Sequence, residues 1–190
     1  YWGRLGDDSL GDRILADLAR EGVDVASVRR LPGRTSPSAA ILIDVAGERL
    51  VCAYNDPKLD TDPGWLPLNR IAEFAAVLVD VRWPQGAAAV LDAARAAGRP
   101  AVLDGDVGPA EALADLTRRA SFAAFSEPGL ARLAGEGSVG LALRHAAAGT
   151  TAGVGVTLGP DGFLWLEDGR EHRVPAPEVH AVDTLAAVAD

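Results

Sequence analysis

Carboxylates, one guanidinium and a glycine-rich turn recur where apolar runs of the chain end, and these are the positions able to do chemistry. Asp80 ends AAVLVD and Arg82 follows it, Asp104 and Asp106 sit in VLDGD, Ser126 and Glu127 close AAFSE, and Thr157, Gly159 and Gly162 stand in TLGPDG. A carboxylate can take a proton from a hydroxyl or help organise Mg²⁺. A planar guanidinium such as Arg82, just before Trp83-Pro84, can hold a phosphate or a sulfonate, or can form an ordinary salt bridge. Each of the others also has a plainer use. Asp-Gly-Asp and Pro-Asp-Gly are common turn sequences, and Ser126 and Glu127 can cap the helix that Pro128 begins.

The elements that must position these residues follow from apolar spacing. Leu10, Ile14, Leu15 and Leu18 predict a helix over 9–21, with Asp8 or Ser9 as its cap and Gly22 as its stop. Two β-branched-rich runs between Ala39 and Tyr54 flank Ala46-Gly47-Glu48 and predict a hairpin, the only strand pair expected in the first half. After Trp65 the pattern alternates: strand 75–80, helix 85–97, strand 101–104, helix 109–119, strand 122–125, helices 128–134 and 138–148, and strand 153–158. A last hairpin pairs 163–166 with 171–174. Strands alternating with helices predict an α/β fold, a three-layer αβα doubly wound and mostly parallel sheet. The early hairpin, about 36–56, has no place in such a sheet and is expected to project as a lid. Ligands of these sheets bind at the carboxyl ends of the strands, where the residues above lie.

Composition narrows the class. The 190 residues are 48% apolar and 24% charged, which predicts one soluble domain over 1–190. No apolar run approaches the roughly 20 residues of a membrane helix, and no leader pattern opens the chain, so no membrane partner and a cytoplasmic location are expected. Cys52 is alone and reads as a small apolar residue, and His145, His172 and His180 lack metal-site spacing, so no structural metal is expected. A formal charge of −9 with scattered basic residues argues against nucleic acid. No G-x-x-x-x-G-K-[ST] occurs, Gly153-Val-Gly155 lies on a strand instead of opening a helix, and no G-x-S-x-G elbow is present.

GRLGDDSLGDRILADLAREGVD closely resembles the ribokinase/PfkB signature in which G-x-x-G-D-D-x-x-G leads into a helix ending in Gly-Val-Asp. The resemblance continues in order through GERLVCAY as the lid hairpin, VLDGD, TLGPDG as the nucleotide-binding turn, and VPAPEVHAVDT as the approach to the catalytic DTxGAGD. VDVRW, VLDGD and AAFSEPGLARLAG are most similar to the sulfofructose kinase and ketohexokinase-like branch. The resemblance implies an ATP- and Mg²⁺-dependent kinase acting on a ketose or related sugar, phosphorylated and sulfonated ones included. Its implied nucleotide contacts are Ser126, Glu127, Thr157, Gly159 and Gly162. Its implied substrate contacts are Arg82, Asp104, Tyr54 and Asn55, and a homodimer through the lid hairpin is implied as well. Relatives that read a sulfonate carry an asparagine just before the lid tyrosine, where this chain has Ala53.

The chain departs from the pattern at the catalytic motif. Asp183 and Thr184 match its first two positions, but Leu185 to Ala189 follow, so Ala189 holds the place of the base and Asp190 comes one residue late. One residue turns a helical side chain by about 100°, and Asp190 cannot simply substitute. We expect a stretch of chain to be missing near 183–186, and the absence of methionine suggests that the chain is part of a longer protein whose sugar-contacting N-terminal strand precedes Tyr1. The alternatives are a catalytically inactive sugar- or nucleotide-binding homologue and a nucleoside kinase of the same fold.

Overall fold

Asp8 does what a helix cap must: its carboxylate accepts the Gly11 amide at 2.8 Å and starts α1, Ser9–Arg20, in a computed structural model that describes residues 1–45, 49–135 and 137–178. These residues fall into two compact units, Tyr1–Asp60 and Thr61–Glu178. In the first, α1 connects β1, Trp2–Gly6, to a parallel partner β2, Ser27–Leu31. The helix stops at Gly22, whose φ of +81° suits glycine, and the Val23 amide reaches back to the Leu18 carbonyl at 3.0 Å.

The β1–β2 pair corrects the expectation that the hairpin is the only strand pair of the first half. Arg29 and Arg30 break the apolar alternation by which strands are read. Arg30 is nevertheless at home in β2, because its guanidinium lies across the start of α1 and donates to Gly6 O at 2.7 Å, Asp8 O at 3.1 Å and Asp12 Oδ1 at 2.6 Å.

The hairpin forms as expected from β3, Ser38–Ile43, and β4, Arg49–Tyr54, with Ala39 opposite Ala53 and Ile41 opposite Val51. It is a two-stranded sheet of its own. Alternation puts Ile41 and Val51 on one face and Leu42 and Leu50 on the other, and all four are exposed. Its root is firmly tied. Ser36 is fully buried, its hydroxyl donates to Asp8 Oδ1 at 2.6 Å and its amide to Asp8 Oδ2 at 2.8 Å, while the Thr35 amide donates to Asp56 at 3.1 Å. A Cβ on Gly6 would stand 2.3 Å from the Arg34 carbonyl, so glycine is required for this close approach.

In the second unit six strands lie in sequence order: β5 Val77–Asp80, β6 Ala101–Gly105, β7 Phe122–Ser126, β8 Gly153–Thr157, β9 Phe163–Glu167 and β10 Arg170–Val174. The first four are parallel, and β9 and β10 add as antiparallel strands. Helices α2 Pro84–Ala96, α3 Ala110–Arg119, α4 Glu127–Ala134 and α5 Val139–Ala147 fall within one or two residues of the expected bounds. Pro84 opens α2, where its missing amide hydrogen does no harm. The core forms between strand residues Leu103, Ala123, Phe125, Val154 and Val156 and helix residues Leu91, Leu113, Leu116, Leu130 and Leu143, all at most 2% exposed. Each large side chain so buried stabilises by about 1.5–3 kcal/mol.

The alternate residues of β7 to β10 carry an aromatic row, with ring centroids 6.4 Å apart for Phe122–Phe163, 5.9 Å for Phe163–Trp165 and 5.2 Å for Trp165–His172. Gly153 and Gly155 make room for it, since a Cβ at either would meet the Phe122 or Phe163 ring within 2.5 Å. A 3₁₀ turn over Leu68–Glu73, which buries Ile71, was not anticipated. Among the described residues no helix is long and apolar enough to cross a membrane.

Candidate functional site

The parallel register of the second unit gathers the polar strand ends. Asp80 is the register partner of Asp104, and Ser126 that of Thr157. Strand β6 runs out at Gly105, which must be glycine because a Cβ there would press the Phe125 ring at 2.5 Å. The first turn of α4 then packs directly on this corner. A Cβ on Gly129 would lie 2.0 Å from Gly105 O.

That packing sets Asp106 beside the cap of α4. Ser126 Oγ accepts the Gly129 amide at 3.1 Å and donates to Asp106 Oδ1 at 2.9 Å. Asp106 Oδ2 accepts Arg82 Nη2 at 2.7 Å, and Arg82 Nη1 donates to Val107 O at 3.2 Å. The Arg82 amide in turn donates to Asp80 Oδ1 at 2.9 Å, which fixes the turn after β5. Of the two roles open to Arg82, the structure therefore displays the ion pair.

Asp104 carries no hydrogen bond among the described residues. Burial raises its carboxyl above the ordinary carboxylate range, the charges of Asp106 and Asp80 raise it further, and Arg82 only partly opposes them. The cluster can accept hydrogen bonds from hydroxyls and presents a negative potential. Among the described residues no three acidic, histidine or cysteine side chains converge as a metal site.

Thr157 ends β8 with its hydroxyl donating to Phe125 O at 3.3 Å. The turn after it spans Gly159–Asp161, with φ of +53° at Gly159 and +88° at Gly162. Gly162 has no room for a side chain, because a Cβ would stand 2.0 Å from Val174 O, whereas nothing lies within 4 Å of a Cβ at Gly159. Arg173 holds the turn from below by donating to Asp161 O at 3.1 Å.

Arg82, Asp104, Ser126 and Thr157 are thus brought together along consecutive strand ends, with Gly159 and Gly162 in the turn beyond. Glu127 lines a groove of about 340 Å³ between α4 and α5, with Leu130, Val139 and Ala142. Tyr54 and Asn55 end the hairpin of the other unit and are exposed. Asp183, Thr184 and Ala189, and the expected break near 183–186, lie outside the described residues. Sequence reading did not mark Val107, which matters through its carbonyl, nor the stack of Trp83 on Trp65 at 5.7 Å. The Arg-Trp-Pro run was the available signal for the latter. Trp83 Nε1 donates to Thr61 O at 3.0 Å and its ring covers Gly86.

Comparison with known proteins agrees with this layout. A sequence model described as pfkB family carbohydrate kinase matches residues 1–187. A provisionally named ribokinase from Agrobacterium tumefaciens is 44% identical, with a TM-score of 0.90 over 98% of this chain and 62% of its own. A provisionally named ribokinase II from E. coli, solved with ATP and Mg²⁺, is 17% identical, with a TM-score of 0.77 over 95% of this chain and 64% of its own. Adenosine kinase from Sinorhizobium meliloti is 20% identical, with a TM-score of 0.78 over 97% of this chain and 60% of its own. The chain therefore spans a little under two thirds of these proteins, and the two more distant likenesses establish a shared fold.

Proposed function

The chain belongs to the pfkB family of carbohydrate kinases, and from that premise we propose that the complete protein transfers the γ-phosphoryl group of ATP to a hydroxyl of a ketose or related sugar. The observation that carries the proposal is the joining of Arg82, Asp104, Asp106, Ser126 and Thr157 along neighbouring strand ends. Ligands of parallel α/β sheets sit there. Phosphoryl transfer asks a protein mainly to position a hydroxyl and to stabilise charge on the moving group.

In this reading Asp104, with its acceptor oxygens unengaged, receives sugar hydroxyls, and Arg82 braces the wall of the sugar pocket. Ser126, Glu127, Thr157, Gly159 and Gly162 form the nucleotide side, with the open backbone at Gly159 toward the phosphates or ribose. ATP supplies the phosphoryl group, and Mg²⁺ neutralises its oxygens. The hairpin, which runs out at Tyr54 and Asn55, serves as the surface of a homodimer. Both hairpin faces are apolar and exposed, and an isolated two-stranded sheet needs such cover.

A nucleoside kinase is the second reading, since adenosine kinase from S. meliloti shares the fold. The charged and polar strand ends favour a sugar over a nucleobase, for which an aromatic wall is expected. The test is ADP formation by the complete gene product with Mg·ATP and a panel of ketoses, pentoses, their phosphates and nucleosides. Turnover of a sugar supports the proposal, turnover of nucleosides alone replaces it with the second reading, and ADP formation with none of them rejects both.

A further inference from the structure

We infer that the sugar pocket at the ends of β5 to β7 selects a neutral, hydroxyl-rich substrate and rejects sugars carrying a phosphate or sulfonate on the part that faces it, with Asp106 as the specificity-determining residue. The inference deepens the kinase reading and rests on it. Among the described residues of this unit, three carboxylates, Asp80, Asp104 and Asp106, stand here against the one guanidinium of Arg82, an excess of two negative charges.

Among the described residues Arg82 is the one cation of the cluster that could welcome an anion, and two of its five N–H donors are already engaged. Nη2 is held by Asp106 at 2.7 Å and Nη1 by Val107 O at 3.2 Å. A phosphate approaching the remaining N–H groups would meet the like charge of Asp106, which is in charge-assisted contact with the same guanidinium. Asp106 does not swing aside easily, because Ser126 Oγ donates to its other oxygen at 2.9 Å, and Ser126 is itself fixed as the cap of α4.

The remaining groups ask for donors. Asp104 has no hydrogen-bond partner among the described residues, and Asp80 uses one oxygen to accept the Arg82 amide at 2.9 Å. Sugar hydroxyls bring donors to such oxygens, whereas a phosphate dianion or a sulfonate brings only acceptors and like charge. Juxtaposed like charges are a strong device for excluding the wrong partner. The raised carboxyl of Asp104 agrees with a pocket already crowded with negative charge.

The experiment uses the complete gene product and matched pairs of a free ketose or pentose and its phosphate ester, read both by ADP formation and by calorimetric binding without ATP. The free sugar is expected to exceed its ester by at least about tenfold in kcat/KM and in affinity. Asp106→Asn releases Arg82 and should narrow that ratio about tenfold or more. Arg82→Gln, which leaves Asp106 in place, should not improve the ester. Asp104→Asn touches neither Arg82 nor Ser126 and should narrow the ratio in the same direction, so a misfolded Asp106→Asn protein, recognised by its melting curve, does not shelter the inference. Tighter binding of the ester by the unmodified protein, a ratio unmoved in both folded variants, or binding of neither member of any pair would overturn it. Ordered binding of sugar over ester without ADP formation would instead uphold the charge selection while removing the kinase reading.

Discussion

Ser36 and Asp8 are joined twice, hydroxyl to Oδ1 at 2.6 Å and amide to Oδ2 at 2.8 Å, so one carboxylate both caps α1 and anchors the strand that rises into the hairpin. The Asp8 carboxyl is held below its ordinary value of 3.8, chiefly by the Ser36 hydroxyl and then by the Ser36 and Gly11 amides. Because Ser36 is fully buried, Ser36→Ala removes the hydroxyl's bond to the Asp8 carboxylate and strands the Gly6 amide that donates to its Oγ at 3.1 Å. A loss of about 1–3 kcal/mol is expected in denaturant unfolding of the complete protein. An unchanged midpoint would show the contact to be dispensable.

The same root predicts an acid response. Asp56 is also held below its ordinary value, first by the Lys58 amide and then by the Thr35 amide. A carboxylate with a lowered folded pKa favours the folded state above its unfolded value, and that contribution disappears as pH falls through the folded value. Hydrogen exchange of the Thr35, Ser36 and Gly11 amides should therefore quicken below about pH 4, relative to core amides such as that of Val154. In Asp8→Asn the acid-dependent step at Ser36 and Gly11 should vanish.

Asp104 has the opposite sign. Its folded carboxyl is raised by burial and by Asp106 and Asp80, so its ionised form works against folding at neutral pH, and the penalty is relieved as pH falls through the raised value. Asp104→Asn should melt slightly higher than the unmodified protein at pH 7, by less than about 1 kcal/mol because the group remains partly solvated. The difference should shrink on acidification. A lower melting point at pH 7 would mean that Asp104 has a stabilising partner.

Gly129→Ala tests the corner that sets Asp106. A Cβ placed 2.0 Å from Gly105 O cannot be accommodated by moving a flexible side-chain end, since the neighbour is backbone. We expect about 2–3 kcal/mol of destabilisation. Gly137→Ala, with nothing within 4 Å of its Cβ, is the control expected to change stability little.

The proposed homodimer is checked by light scattering on two double variants. Ile41→Glu with Val51→Glu charges one face of the hairpin, and Leu42→Glu with Leu50→Glu charges the other. One pair should give a monomer, because a two-fold interface uses the same patch on both copies. A dimer surviving both pairs would place the interface elsewhere.

Much of the fold was legible because apolar periodicity reports burial. Leu103, Phe125 and Val154 all fall where strands were read, and α2 starts at Pro84 and stops before Gly98 as local chemistry requires. Strand β2 was illegible because Arg29 and Arg30 serve it through long side chains, whose targets on α1 and Asp60 depend on tertiary placement. The polar strand ends were legible as positions, since a charged residue following an apolar strand marks its exit. Their pairing was not. That Arg82 takes Asp106, and that Ser126 braces the same carboxylate, depends on how closely α4 approaches Gly105, a distance no local pattern encodes.

The order β5 to β10, in which every strand lies beside the one made just before it, bears on how the second unit is synthesised. A chain leaving the ribosome can add each strand to a growing edge without waiting for a distant partner, so loop-closure entropy is met in small steps. The β5–β6 and β6–β7 pairs join residues 24 and 20 positions apart and can form while later strands are still being made. An arrested nascent chain ending after α5 should then already protect the β5–β7 core from protease, while the polar strand-end site stays incomplete until Thr157 emerges to flank Ser126.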